Sequence, residues 1–454
     1  MSHKPGKQCN AAVRGNAPRL EVPQPADFAG FPKSLVNQSI AALFEKQVEQ
    51  HENRLAVKAG ERSLTYGELN RQANRIAAAI LSKQSFREYA GERTGDPAFW
   101  EAHMEPAAVL MEQGLDAVAA AFGLLKAGKI YLPVDPVDPH TRLSFILHHA
   151  PARIIVTNDD YAGLAGELAP AGCSVINIDQ LDEDGPDHNP GFTVKPEFPA
   201  LLIYTSGSTG EPKGVINSQQ NLLHDIGSKA NLVRVSPSDR LSLLSWGTGQ
   251  ATKLIFTALL NGASLHLFNL KREGLTHLAS WILREGITVI TISAPVCRSF
   301  LELLTGDDGF AEVRVVRTAS DALYPGDVMR LIRYFDRRCY FVNALASTET
   351  GIVCAEVMNS TTTIENERVP IGYPVKGVDV HLLDEHGQPV PDGSVGALSV
   401  RSGYIAHAYW RRHELTRKHF AADPDDQGVR IFRSGDLARK RSDGSLEFFG
   451  RSDF

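Results

Sequence analysis

"YTSGSTGEPKGV", residues Tyr204–Val215, follows directly on the apolar run Ala200-Leu201-Leu202-Ile203. Four aliphatic hydroxyl residues and three glycines surround a single lysine where a strand is expected to end. A glycine-rich turn after a strand can aim its backbone N–H groups at anionic oxygens. Thr205, Ser206, Ser208 and Thr209 add hydroxyl donors, and Lys213 adds a point charge. The stretch reads as a loop for a polyphosphate. It is not the GxxxxGKS/T loop, because Pro212 takes the glycine position before the lysine.

Outward from this loop, β and α patterns alternate. Residues 36–53 carry Ile40, Leu43, Phe44 and Val48 at helical spacing. Residues 54–81 read as two short strands, a Gly turn and a helix, with Thr65 as N-cap and Glu68 completing a capping box. Residues 82–106 are polar and irregular, and read as a surface insertion. "AAVLMEQGLDAVAAAFGLLKAGKIYLPVDP" gives strand, helix and strand, and "ARIIVTND" and "CSVINID" add short β runs. The alternation continues to about residue 345, then gives way after about 368 to short strands between Gly, Asp and Pro turns. The expected fold class is α/β: layered, largely parallel sheets flanked by helices, plus a small β-rich subdomain. The expected divisions are an irregular leader over 1–34, α/β subdomains over 35–195 and 196–368, the β-rich subdomain over 369–451, and a hinge starting at 452–454.

Composition narrows the function. The 454 residues are 43% hydrophobic and 22% charged, with net charge −6 and no long basic run, which gives no support for nucleic-acid binding. No apolar stretch approaches the roughly 18 residues of a membrane span, and the N-terminus lacks a signal-peptide core. Cys9, Cys173, Cys297, Cys339 and Cys354 are scattered without a CxxC pair, as expected of reduced thiols in the cytoplasm.

The loop resembles that of adenylate-forming enzymes: acyl-CoA synthetases, luciferases and the adenylation domains of nonribosomal peptide synthetases. Further stretches agree in the family's order. "LTYGELN" and "LLKAGKIYLPVDP" resemble the peptide-synthetase branch in particular, and "ALLNGASL", "NALASTETG", "GALSVRSGYIAHAYW", "RSGDLARK" and "GRSDF" follow. The resemblance implies an ATP-dependent ligase that converts a small carboxylic acid to an acyl-adenylate. A thiol, usually the phosphopantetheine of a carrier-protein domain, then accepts the acyl group.

Roles carry over by position. Thr205, Ser206, Gly207, Ser208, Thr209, Gly210 and Lys213 match the segment that holds the β- and γ-phosphates. Thr348 matches the threonine at the α-phosphate, and Glu349 the magnesium ligand, so Thr348, Glu349 and Lys213 are the expected catalytic residues. Asn343, Ala344 and Leu345 match the adenine region, Asp436 the carboxylate for the ribose hydroxyls, Arg451 its neighbouring arginine, and Asp453 the hinge. Leu345 departs from the family's aromatic residue, and Ala346-Ser347 replaces the common Gly-Pro, so adenine is expected to rely on apolar contact and backbone hydrogen bonds. The family's catalytic lysine is expected beyond residue 454, in a small domain past the hinge. The initial Met suggests a loading module.

The acyl pocket departs further. In amino-acid-activating relatives an aspartate pairs with the substrate's α-ammonium. Counting back from "ALLNG", Gly249 occupies that position, and residues 241–270 contain no acid. A buried, unpaired ammonium costs about 3–5 kcal/mol. The expected substrate is therefore a carboxylic acid without an ordinary α-amino group: a short acyl, hydroxy or keto acid, or a betaine or sulfonium acid. An anchor supplied from elsewhere, such as Asp321, is the alternative. The same counting places Gln250, Lys253, Ile292, Arg317, Ala319, Ala344, Ile352 and Val353 around the pocket. Trp246 packs in the core or faces a substrate cation. Lys253 and Arg317, if inward, oppose a cation. A free-standing acyl- or aryl-CoA synthetase and a non-catalytic nucleotide-binding module are the competing readings.

Overall fold

Capping and patterning set the element boundaries. Ser39 caps the helix Ile40–His51, accepting from the Ala42 N–H at 3.1 Å. Ile40, Leu43 and Phe44 are buried on the face that the spacing predicts, with Val48 packed at its rim. Thr65 and Glu68 form the reciprocal cap: the Thr65 N–H donates to Glu68 Oε2 at 2.7 Å, and the Glu68 N–H to Thr65 Oγ1 at 3.3 Å. The helix Tyr66–Lys83 follows and packs on the almost wholly buried helix Leu115–Lys126. Their close approach requires Gly123, where an added Cβ would lie 2.7 Å from Ile76.

The computed structural model describes residues 19–83, 97–104, 106–191, 193–205, 211–306, 309–319, 321–364 and 367–452. Of the sequence-predicted site residues, Ser206, Gly207, Ser208, Thr209, Gly210 and Asp453 lie outside the described residues.

Among the described residues the strands form three sheets. The first runs, in spatial order, Tyr373–Pro374, Gly351–Met358, Tyr340–Ser347, Val315–Ala319, Val289–Ser293, Arg240–Leu243, Ser264–Leu267, Leu55–Ala59 and Arg62–Thr65. Its central pairs are parallel and its two ends antiparallel. The second runs Ala408–Tyr409, Lys213–Ser218, Pro199–Thr205, Ile130–Val134, Pro106–Leu110, Ile154–Thr157 and Ser174–Asn177. It too is parallel except at the end that carries Lys213. The third is the small antiparallel sheet of Asp379–Leu383, Val395–Ser402, Arg430–Lys440 and Phe420–Ala422, with Leu446–Arg451 paired to Arg430–Lys440. The α/β class with a β-rich C-terminal part is thus the observed architecture.

One continuous core joins apolar side chains of both large sheets to the helices Tyr66–Lys83, Leu115–Lys126, Gln219–Val233 and Gly249–Leu259. Phe122 stacks on Phe44 at 4.0 Å and meets Phe256 edge-on at 5.5 Å. Each such pair is worth about 0.5–1.5 kcal/mol beyond its buried area. Together they fix the helix that carries Gly249 and Lys253. The stretch read as a surface insertion differs in its second half. Pro97–His103 is helical, and Trp100 is buried against Val194 and Phe198, whose ring lies 5.1 Å away. The apolar surface of one large aromatic outweighs the polar setting of its neighbours.

Candidate active site

Two capped helices, a strand and a hairpin aim side chains at one place. Ser218 and Asn221 form a capping box that starts the helix Gln219–Val233, setting Asp225 and Lys229 one turn apart. Thr248 caps the helix Gly249–Leu259, accepting from the Ala251 N–H at 3.2 Å, so Gly249 and Lys253 share a face. In the strand Val315–Ala319 the period of two puts Arg317 and Ala319 on one side. Between the antiparallel strands Tyr340–Ser347 and Gly351–Met358, a tight turn presents Thr348 and Glu349. Gly351 has φ +68°, and a Cβ there would fall 2.7 Å from the Asp225 Cγ. Both conditions exclude a side chain.

Lys213, Glu349 and Tyr409 form a triangle. Lys213 Nζ lies 3.1 Å from Glu349 Oε1 and donates to the Tyr409 hydroxyl at 2.9 Å. That hydroxyl in turn donates to Glu349 Oε1 at 2.8 Å. Tyr409 reaches this position because Ala408–Tyr409 pairs with the strand that begins at Lys213. Burial opposes ionisation of Glu349, but the Lys213 charge and the two hydrogen bonds outweigh it and hold the carboxyl below its usual range. Burial, reinforced by the Glu349 charge, pushes the Tyr409 phenol upward.

A second cluster lies beside it. Asp225 Oδ2 is 2.8 Å from Lys229 Nζ and 3.1 Å from Lys253 Nζ, while Oδ1 accepts from the Ile352 N–H at 2.9 Å. Lys253 Nζ also donates to the Thr348 carbonyl at 3.4 Å. Arg317 is 4% exposed, and its Nε and Nη2 have no hydrogen-bond partner among the described residues. Among the described residues, Lys229 and Lys253 thus share one buried carboxylate, and the buried Arg317 stands beside them without an ion pair. Burial opposes the Asp225 charge, yet Lys229 and Lys253 hold its carboxyl far below the usual range. Burial brings Lys229 down to about 7, with Asp225 opposing and Lys253 and Arg317 assisting. Burial also lowers Arg317.

Lys229, Lys253 and Arg317 of the second cluster border a cavity of about 1110 Å³, which Thr348, the neighbour of Glu349, also lines. Of the sequence-predicted residues, Thr205, Trp246, Gly249, Gln250, Lys253, Arg317, Ala319 and Thr348 line it. Lys253 and Arg317 are inward, each almost fully buried. Trp246 does two things: its ring lines the cavity, and its indole N–H donates to the Met111 carbonyl at 2.9 Å. Ile292, Ala344, Ile352 and Val353 are buried outside this lining. Asn343 is turned aside, donating from Nδ2 to the Pro370 carbonyl at 2.9 Å, and Leu345 packs towards the β-rich core. The next residues, Ala346 and Ser347, border the cavity instead, past a bulge at Leu345. Asp321 is exposed and lies outside the lining. Asp436 and Arg451 face each other across the small sheet, with 3.8 Å between Oδ1 and Nη1.

Asp225, Lys229 and Tyr409 were not singled out from the sequence. The Asp225–Lys229 spacing marks an i,i+4 pair but not its burial, and Tyr409 meets Lys213 only through strand pairing. A cation site is compatible with the oxygen donor of Glu349. Among the described residues no group of three or more His, Cys, Asp or Glu side chains could hold a metal unaided. A hard cation with one carboxylate completes its shell with phosphate and water oxygens.

A lysine paired with a buried carboxylate thus lies beside a cavity lined from both large sheets. The family model for AMP-binding enzymes matches residues 44–410, and the chain belongs to that family. It is 31% identical over 424 residues to tyrocidine synthase 1 of Brevibacillus parabrevis, covering 92% of this chain and 36% of that protein. The chain thus spans about a third of that relative's length. It superposes on the nonribosomal peptide synthetase FmoA3 in its α-methyl-L-serine-AMP bound form with a TM-score of 0.81 and 25% identity, over 92% of this chain and 45% of that one. The Klebsiella oxytoca NpsA N-terminal subdomain, in complex with 3-hydroxybenzoyl-AMSN, shares the fold with a TM-score of 0.75 at 22% identity, over 91% of this chain and 100% of that one. The chain is an ATP-using, carboxylate-adenylating ligase domain of the nonribosomal peptide synthetase type. The described residues contain no helix long and apolar enough to cross a membrane.

Proposed function

We propose that this domain activates a carboxylic acid without an ordinary α-amino group and passes it to a carrier-protein thiol, within a larger cytoplasmic synthetase. A carboxylate oxygen of the acid attacks the α-phosphorus of ATP. The new O–P bond forms as the bond to the β-phosphate oxygen breaks, giving acyl-adenylate and pyrophosphate. The phosphopantetheine sulfur then attacks the acyl carbon and loses its proton, and AMP leaves.

Lys213, with the Thr205–Gly210 segment, is the cation for the β- and γ-phosphates, and the Thr348 hydroxyl is the donor at the α-phosphate. Magnesium, which Glu349 would hold, supplies charge neutralisation at the phosphate oxygens. Asp436, steadied by Arg451, receives the ribose hydroxyls. Adenine lies along the Asn343–Leu345 strand end, held by backbone and apolar contact. Asp453 begins the hinge.

The observation that carries the substrate reading is the environment of Gly249. A Cβ there would lie 3.0 Å from Oγ1 of Thr348, the proposed α-phosphate donor, and this position holds no acid. Asp225 has both oxygens engaged by Lys229, Lys253 and the Ile352 N–H. The inward Lys253 and Arg317 also oppose an onium acid at Trp246. ATP–pyrophosphate exchange on the full-length protein tests the reading. α-Amino acids should be poorer substrates than their deaminated analogues by about a hundredfold. Preference for any ordinary α-amino acid would reject it. Transfer to CoA in preference to a carrier would select the free-standing synthetase, and absence of exchange with every acid the non-catalytic module.

A further inference from the structure

The cavity wall holds more positive charge than the described residues neutralise. Lys229, Lys253 and Arg317 all border the cavity, and among the described residues Asp225 is the one carboxylate within ion-pair distance of any of them. Arg317 is not within that distance of Asp225. Its Nε and Nη2 are buried and donate to nothing among the described residues, while the residue itself borders the cavity. Leaving guanidinium donors unsatisfied in a buried site is costly. The acids that border the same cavity are engaged elsewhere. Glu112 accepts from the Tyr161 hydroxyl, Asp135 pairs with Lys271 at 3.0 Å, and Asp138 pairs with Arg142 at 3.1 Å. A planar guanidinium with two free N–H groups is the protein group best matched to a carboxylate.

We propose that Arg317, assisted by Lys253, receives a second carboxylate of the substrate, so that the acid activated is a short dicarboxylic acid. This rests on the adenylation reading given above and names its substrate class. Gly249, beside Thr348, and Lys253 lie one helical turn apart, about 6 Å, a spacing that suits a diacid of about three to six carbons. One carboxylate reaches the α-phosphorus beside Thr348. The other stays ionised against Arg317 and is not consumed. The absence of an acid at Gly249 follows from the same logic: a carboxylate there would repel the substrate.

The test is ATP–pyrophosphate exchange with the full-length protein, using straight-chain diacids of three to six carbons, the monocarboxylic acids of equal length, and the diacid monoamides. A diacid should exceed its matched monoacid in kcat/KM by about a hundredfold, the scale of a buried charge pair with one partner removed. Arg317→Gln should bring that ratio to within about threefold. Arg317→Lys should restore part of it, which a merely structural role would not do. If Arg317→Gln fails to fold, the wild-type ratio decides alone. Robust exchange with monoacids or monoamides at or above the diacid rate overturns the proposal while leaving adenylation standing. No exchange with any acid, amino acids included, removes the adenylation reading and this proposal with it. A ratio unchanged in folded Arg317→Gln also overturns it.

Discussion

At the scale of single residues, the Lys213–Glu349–Tyr409 triangle makes the sharpest statements. Glu349→Gln removes the carboxylate charge and little volume. Pyrophosphate exchange should fall by about a hundredfold or more while the thermal transition stays cooperative; near-normal exchange would end the metal-ligand assignment. Tyr409→Phe removes a hydrogen bond to the ionised form of Glu349. It should raise the Glu349 pKa and move the acid limb of the exchange–pH profile to higher pH, with about 1–2 kcal/mol lost in denaturant titration. An unmoved limb would show that Glu349 does not control it. For the ribose, Asp436→Ala should raise the KM for ATP by roughly tenfold, since one carboxylate is proposed to hold two hydroxyls. Equal use of ATP and 2′-deoxy-ATP by the wild type would withdraw that role.

At the scale of elements, the turn between Tyr340–Ser347 and Gly351–Met358 is set by packing as much as by backbone conformation. Gly351 and Gly60 have similar positive φ, +68° and +58°, but a Cβ at Gly60 meets nothing within 4 Å, whereas one at Gly351 meets the Asp225 carboxylate at 2.7 Å. Gly60→Ala should therefore cost about 1–2 kcal/mol, the left-handed backbone penalty alone. Gly351→Ala adds overpacking against a buried ion pair and should cost about 1–3 kcal/mol more. Urea denaturation of the two variants measures the difference, and equal costs would show that Asp225 yields freely.

At the scale of the whole molecule, burial and electrostatics set a pH dependence far from the active cavity. Glu356, on the strand Gly351–Met358, is raised to about 7 by burial and by the Asp443 charge, against the pull of Arg441 and Arg19. With a folded pKa above the unfolded value, the protonated form favours the native state. The stability it contributes is full below about pH 4.5 and is lost as pH rises through about 7. Glu356→Gln should thus stabilise the protein at pH 8 by about 1–2 kcal/mol, discounted for partial exposure, and change little at pH 5. Equal effects at both pH values would contradict the assignment.

The same scale separates what was legible in the chain from what was not. Local signals were enough for the Thr65–Glu68 cap, the Ile40–His51 helix, the change from βα alternation to an antiparallel sheet, and the ordered motifs that mark the AMP-binding family. Each depends on neighbours a few residues away or on a short string of residue types. Trp100 was misplaced because its partner Phe198 is about a hundred residues distant. No local signal shows that Leu55–Ala59 pairs with Ser264–Leu267 in the first sheet, with Arg62–Thr65 added at its edge. Residues 408–409 likewise close the second sheet against Lys213–Ser218. Lys253 and Arg317 show the physical limit most clearly. Sequence supplies their charge, but whether they are solvated or buried, and whether Asp225 neutralises one, two or none of them, depends on how helix 219–233, helix 249–259 and strand 315–319 pack together. Chain order determines which groups exist; only tertiary packing determines which of them lose water, and that loss is what turns a lysine and an arginine into a site for an anion.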